Sequence, residues 1–139
     1  MRGTEKVVLV IEDDFDIRDA MQEVLQDEGY SVFTADNGAA ALDVLGRIPT
    51  PGLVLLDLMM PEMDGHQFLE ILREDPRFRN VPVVVVSAGI TVAPSIAGYI
   101  KKPFDTEVLV ETVGRLYASP DSSRRLGERG STAGSGTGL

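Results

Sequence analysis

Four acidic residues and one lysine stand where apolar runs end. Val7 to Ile11 runs into Glu12-Asp13-Asp14, Leu53-Val54-Leu55-Leu56 runs into Asp57, and Tyr99-Ile100-Lys101 runs into Lys102-Pro103. A charged group at the end of a buried strand sits where the strand meets solvent, and parallel strands bring such ends together. The chemistry on offer is a carboxylate nucleophile beside a bound cation. Carboxylates crowded together repel by about 4 kcal/mol per pair at ~4 Å and an effective dielectric of roughly 20, so Glu12, Asp13 and Asp57 in one place call for positive charge. Oxygen ligands select a hard ion, and Mg²⁺ fits a site of one or two carboxylates plus substrate oxygens, with Mn²⁺ the alternative. Lys102 adds a fixed point charge suited to an anionic oxygen.

The elements needed to position these groups follow from hydrophobic periodicity. Val7 to Ile11 reads as a first strand, and Ile17, Ala20, Met21, Val24 and Leu25 form one face of a helix over 15–28 that stops at Gly29. Asp14 or Asp16 is placed to cap it. Strands are expected over 31–35, 53–56, 83–86 and 98–101, and helices over 39–45, 67–73 and 106–117, that over 67–73 with Phe68, Leu69, Ile71 and Leu72 on its inner side. Alternating strands and helices predict a doubly wound parallel sheet. Beyond Ala118 the chain turns to Ser, Gly and Thr, with three Arg against two acids, and residues 119–139 are expected to be a disordered tail after one domain over 1–118.

Composition narrows the function classes. The chain has 139 residues, 43% of them hydrophobic, and a net charge of −9, which argues against direct binding to nucleic acid. Cysteine is absent, which excludes disulfides, thiol catalysis and Cys-based metal sites. The long uncharged stretch that includes 81–100 is broken by Pro82, Gly89, Pro94 and Gly98, so no membrane insertion is expected. With no secretion signal visible, a cytoplasmic address is the expectation.

The order of four motifs now resembles the receiver domain of two-component response regulators. The residues that carry it are Val10 to Asp14, the run Leu56-Asp57-Leu58-Met59-Met60-Pro61-Glu62-Met63-Asp64-Gly65, Ser87-Ala88, and Tyr99 through Lys102-Pro103-Phe104. The resemblance implies a flavodoxin-like, five-stranded sheet in the order 2-1-3-4-5; with the pocket complete and no output domain in the sequence, a stand-alone receiver is expected. It makes Asp57 the phosphoacceptor, charged by a sensor histidine kinase or a histidine phosphotransfer protein. It gives Asp13, Asp57 and the main-chain carbonyl of Met59 as Mg²⁺ ligands, with Glu12 acting through water. Lys102, with a cis bond to Pro103, would meet a phosphoryl oxygen, while Ser87 and Tyr99 would act as switch residues that change the surface seen by an unknown downstream protein.

Plainer readings stand beside these. Asp14 is assigned to capping or to solvent, His66 to the surface, Asp64-Gly65 to a turn, and Met59, Met60 and Met63 to apolar filling of a loop. Only 14 residues separate Ser87 from Lys102, which leaves about 10 for the crossover, near the lower limit for such a link. A shortened fourth helix is therefore expected, and with it a doubtful partner surface. The main alternative is a pseudo-receiver that binds partners without taking phosphate. A phosphohydrolase is less favoured because Met59 stands where a second Asp is generally found, and a nucleotide site because no Gly-rich loop follows the first strand.

Overall fold

A computed structural model describes residues 5–59, 65–89 and 96–117. The described strands are β1 (Val7–Ile11), β2 (Ser31–Ala35), β3 (Leu53–Leu56), β4 (Val83–Ser87) and β5 (Gly98–Lys101), and all pair in parallel in the order β2-β1-β3-β4-β5. The described helices are α1 (Phe15–Asp27), α2 (Gly38–Leu45), α3 (Gly65–Glu74) and α4 (Thr106–Leu116).

The sheet is buried on both faces, which is why its central strands are continuous runs of Val, Leu and Ile. Alternate residues serve opposite sides. Val8, Val10, Leu53, Leu55, Val84, Val86 and Ile100 pack with Met21 and Leu25 of α1 and Leu109 and Val113 of α4. Leu9, Ile11, Val54, Leu56, Val83 and Val85 pack with Ala41 and Leu45 of α2 and Phe68, Leu69 and Leu72 of α3. Two helices per face thus follow from the period-two alternation of the strands.

Local signals set the element ends. Asp14 caps α1, its Oδ1 accepting from the Ile17 amide at 3.1 Å, and Asn37 caps α2 by accepting from the Ala40 amide at 2.8 Å. Gly29, with φ of +98°, takes the left-handed conformation that ends α1 and turns the chain into β2. Several boundaries differ by a residue or two from the periodicity reading, as frayed ends do. Two positions differ in facing. Ile71 is exposed, because Phe68, Leu69 and Leu72 already define the buried side of α3 and Ile71 falls off it; Ala20 of α1 is exposed likewise. The Lys102–Pro103 peptide is cis. The shortened helix is expected within 89–97, of which 90–95 lie outside the described residues, as does the tail over 119–139.

Candidate functional site

Glu12, Asp57 and Lys102 each sit one step past a strand end and continue the ladder there. Ile11 pairs with both Ala35 and Leu56, and beyond it the Glu12 amide donates to the Ala35 carbonyl at 3.0 Å while the Asp57 amide donates to the Ile11 carbonyl at 3.0 Å. At the other edge Ser87 pairs with Lys101, and the Lys102 amide donates to the Ser87 carbonyl at 2.9 Å. Backbone bonds therefore fix where all three side chains start.

The side chains converge. Lys102 Nζ lies 2.8 Å from Glu12 Oε1 and 3.3 Å from Asp57 Oδ2. Asp57 Oδ1 accepts from the Met59 amide at 3.0 Å, and Glu12 Oε2 accepts from the Asp14 amide at 3.1 Å. Glu12 and Asp57 are buried, with 1% and 4% of their surface exposed, whereas Asp13 faces solvent. One carboxylate oxygen from each of Glu12, Asp13 and Asp57 lies within 4.8 Å of the others.

The electrostatics are lopsided. Burial pushes the Glu12 carboxyl up from 4.5 to about 7; the Lys102 and Asp14 hydrogen bonds pull it down, and the Asp57 charge pushes it further up. Burial acts to lower the Lys102 ammonium, yet the Glu12 and Asp57 carboxylates outweigh it and hold that ammonium above the ordinary lysine value. The Lys102 shift reports the pull of two carboxylates, whereas the Glu12 shift reports chiefly its burial, with the Asp57 charge adding to it. Glu12 Oε1, although in charge contact with Lys102, has no aligned hydrogen bond. A buried carboxylate oxygen left in that state is costly, and a divalent cation among the three acids relieves both the charge excess and the orphaned oxygen. The residues fit a hard cation.

Ser87 and Tyr99 sit at the β4 end of the same rim. The buried Ser87 Oγ accepts a long contact from the Gly89 amide at 3.4 Å. Tyr99 is half-buried, and its hydroxyl donates to the carbonyl of Ser87 at 3.2 Å and to that of Gly89. The tyrosine is thus tied to the backbone of the β4 turn.

His66 is at the surface, as expected. The Met59 side chain is 74% exposed and so does not fill the loop; its amide serves the site, and its thioether, one residue past buried Leu58, projects outward. Met60, Pro61, Glu62, Met63 and Asp64 lie outside the described residues. Two contributors went unread in the sequence. Arg18 Nη1 donates to the Glu12 carbonyl at 2.8 Å, and its guanidinium lies 5.4 Å from the centre of the Phe15 ring. The signal available was an arginine one helical turn past the capping Asp14. Gly65, read as a turn residue, has a different reason to be glycine: a Cβ there would stand 2.7 Å from the Asp57 carbonyl oxygen and 2.6 Å from Leu58 Cα. Only glycine lets α3 begin against the backbone of the Asp57 segment.

A doubly wound sheet in the order 2-1-3-4-5, with an acidic cluster and a lysine at the carboxyl ends of β1, β3 and β5, defines a class of phosphate-handling signalling domains. Residues 8–114 match the response regulator receiver domain, and the chain belongs to that family. It is 38% identical over 128 residues to response regulator Rre1 of Synechocystis, covering 86% of this chain and 55% of that protein. It is 32% identical to hybrid signal transduction histidine kinase D of Dictyostelium discoideum, covering 91% of this chain and 8% of that one. The chain therefore spans about half, or far less, of the length of these curated relatives. Among solved structures, chemotaxis protein CheY4 of Vibrio cholerae superposes with a TM-score of 0.73 at 27% identity, covering 81% of this chain and 99% of that one. Receiver domains are signalling switches that take phosphate from histidine kinases and use a divalent metal in an acidic pocket. Among the described residues no helix is long and apolar enough to cross a membrane.

Proposed function

We propose that this chain is a receiver that accepts a phosphoryl group on Asp57 and signals through a changed protein-interaction surface or passes the phosphate on. The observation that carries this reading is the placement of Asp57: a buried carboxylate at a strand end, 3.3 Å from Lys102 and grouped with Glu12 and Asp13. The donor is a phosphohistidine on a sensor histidine kinase or a histidine phosphotransfer protein. The P–N bond breaks, an Asp57 oxygen bonds to phosphorus, and the released imidazole takes up a proton. Asp57 is aimed by the Met59 amide, and Lys102 offsets the charge that the phosphoryl group brings.

Mg²⁺, held by Asp13, Asp57 and the Met59 carbonyl with Glu12 acting through water, would neutralise the anionic oxygens in the transition state. Phosphorylation adds roughly −1.5 to −2 charges and three acceptor oxygens. Ser87, at the end of β4, donates its hydroxyl to one of them, and Tyr99, anchored on the Ser87 and Gly89 carbonyls, registers the shift of that turn. The switching unit lies within residues 1–118, and it works in the cytoplasm. It is not an enzyme beyond handling its own phosphate.

Incubation with acetyl phosphate and Mg²⁺ tests the reading. One hydroxylamine-labile phosphoryl group per chain is expected, and Asp57→Asn should take none. Label that survives Asp57→Asn, or none on the unaltered chain, rejects it.

A further inference from the structure

The Asp13 carboxylate is the exposed member of the acidic cluster, and among the described residues no hydrogen bond or ion pair holds its side chain. Its place is set by its backbone alone. That backbone is gripped from outside the loop by Arg18, whose Nη1 donates to the Glu12 carbonyl at 2.8 Å and so bears on the Glu12–Asp13 peptide. The other holds are on either side of that peptide: the Glu12 amide on Ala35, the Asp14 amide on Glu12 Oε2, and the Ile17 amide on Asp14. The ring of Phe15 flanks the guanidinium, and α1 supplies a rigid base.

We propose that Arg18 is a positioning residue for the cation site: it fixes the plane of the Glu12–Asp13 peptide and thereby presents the Asp13 carboxylate to Glu12 and Asp57. This inference rests on the reading of the pocket as a Mg²⁺ site. Partners that orient metal ligands change metal affinity by about 10–100-fold when removed. The charge of Arg18 acts in the opposite direction. A guanidinium near a divalent cation repels it, so a purely electrostatic Arg18 would weaken Mg²⁺ binding, and its removal would tighten it. The sign of the change separates orientation from charge.

The test is a MgCl₂ titration of the full chain followed by backbone amide NMR, on the unaltered protein, Arg18→Met and Arg18→Lys, with melting temperatures recorded without Mg²⁺. The unaltered chain should show saturable shifts at Asp13, Asp57 and Met59. Arg18→Met should weaken the affinity about tenfold at the low end of that range. Arg18→Lys keeps the charge and loses the planar fork, and should also bind more weakly, by a smaller factor. Affinity that is unchanged or tighter in Arg18→Met overturns the proposal, including when its melting temperature falls, which would be the mark of a merely structural residue. If Arg18→Met does not fold, unchanged affinity in Arg18→Lys overturns it. Absence of saturable shifts in the unaltered chain would reject the Mg²⁺ reading itself.

Discussion

Two acidic regions of this molecule share a residue type and differ in nearly everything else. In the pocket, Glu12 and Asp57 are buried, each accepts a backbone amide, and Lys102 reaches both. In the groove of about 340 Å³ between α1 and α4, Asp27, Glu28, Glu107 and Glu111 line a floor that includes Val24 and Val110, and all four acids remain exposed. At the groove, Arg115 Nε lies 3.5 Å from Glu111 Oε2, and both side chains are largely exposed. Solvent screens the groove and leaves its carboxylates as an ordinary charged surface. Desolvation sets the pocket apart: it raises the Glu12 carboxyl and makes the contacts of Lys102 with Glu12 and Asp57 count for more than screened pairs at the surface. A count of carboxylates does not make a site; burial with convergent backbone donors does.

Removing the cation from each region should give the largest contrast. Lys102→Met strands two buried carboxylates, and without metal we expect a loss of about 3–5 kcal/mol in chemical denaturation, reduced to the extent that Glu12 takes up a proton. Arg115→Met, the matching change in the groove, should stay within about 0.5 kcal/mol. Equal losses in the two variants would erase the distinction between the regions.

Next in size is Gly65→Ala. A methyl group there meets the Asp57 carbonyl oxygen and Leu58 Cα, both main-chain atoms that cannot swing aside. We expect a loss of about 1–3 kcal/mol and slower phosphorylation by acetyl phosphate, because α3 can retreat only by moving the segment that aims Asp57. Gly114, on the outer side of α4 with open space around it, serves as the control. Its change to Ala should stabilise slightly, by about 0.4–1 kcal/mol. A Gly65→Ala protein as stable and as reactive as the parent would show that the close approach has no bearing on the site.

The smallest effect expected is one of pH. Glu12 has its carboxyl raised from 4.5 to about 7 in the fold, so between those values the folded state holds a proton that the unfolded chain releases. Its contribution to stability is complete below about pH 4.5 and is lost as the pH rises through 7. Mg²⁺ needs the ionised carboxylate and competes with that proton, so millimolar Mg²⁺ should raise the melting temperature more at pH 8 than at pH 6. Asp13→Asn should blunt the gain at both. An identical Mg²⁺ effect at the two pH values would place the cation elsewhere, with the groove as the obvious alternative.

Much of this was legible in the chain because it rests on local or periodic signals. The strands announce themselves as apolar runs, and Glu12, Asp57 and Lys102 stand one residue past them, so a parallel sheet brings them together without further information. Asp14 is likewise readable as a cap. Other features depend on distance across the fold and leave no mark in spacing. Arg18 stands one helical turn past the capping Asp14, but that spacing does not say that its guanidinium reaches back to a main-chain carbonyl, and Gly65 looks like any turn glycine until α3 is seen against Asp57. Tyr99 was legible as an aromatic near the rim, whereas its attachment to the Ser87 and Gly89 carbonyls required the two strands to be placed side by side. Met59 divides in two: its backbone is assigned to the site from the motif, and its amide does meet Asp57, whereas its side chain, read as loop filling, is exposed.

A structure of the protein with Mg²⁺ and beryllium trifluoride, which forms an adduct on a carboxylate in the geometry of a phosphoryl group, tests the central claim most directly. The adduct is expected on Asp57, with Mg²⁺ against Asp13 and Asp57, Lys102 and Ser87 meeting its fluorines, and the groove between α1 and α4 without metal. Mg²⁺ seated among Asp27, Glu28, Glu107 and Glu111, or an Asp57 that carries no adduct at saturating fluoride, would contradict it.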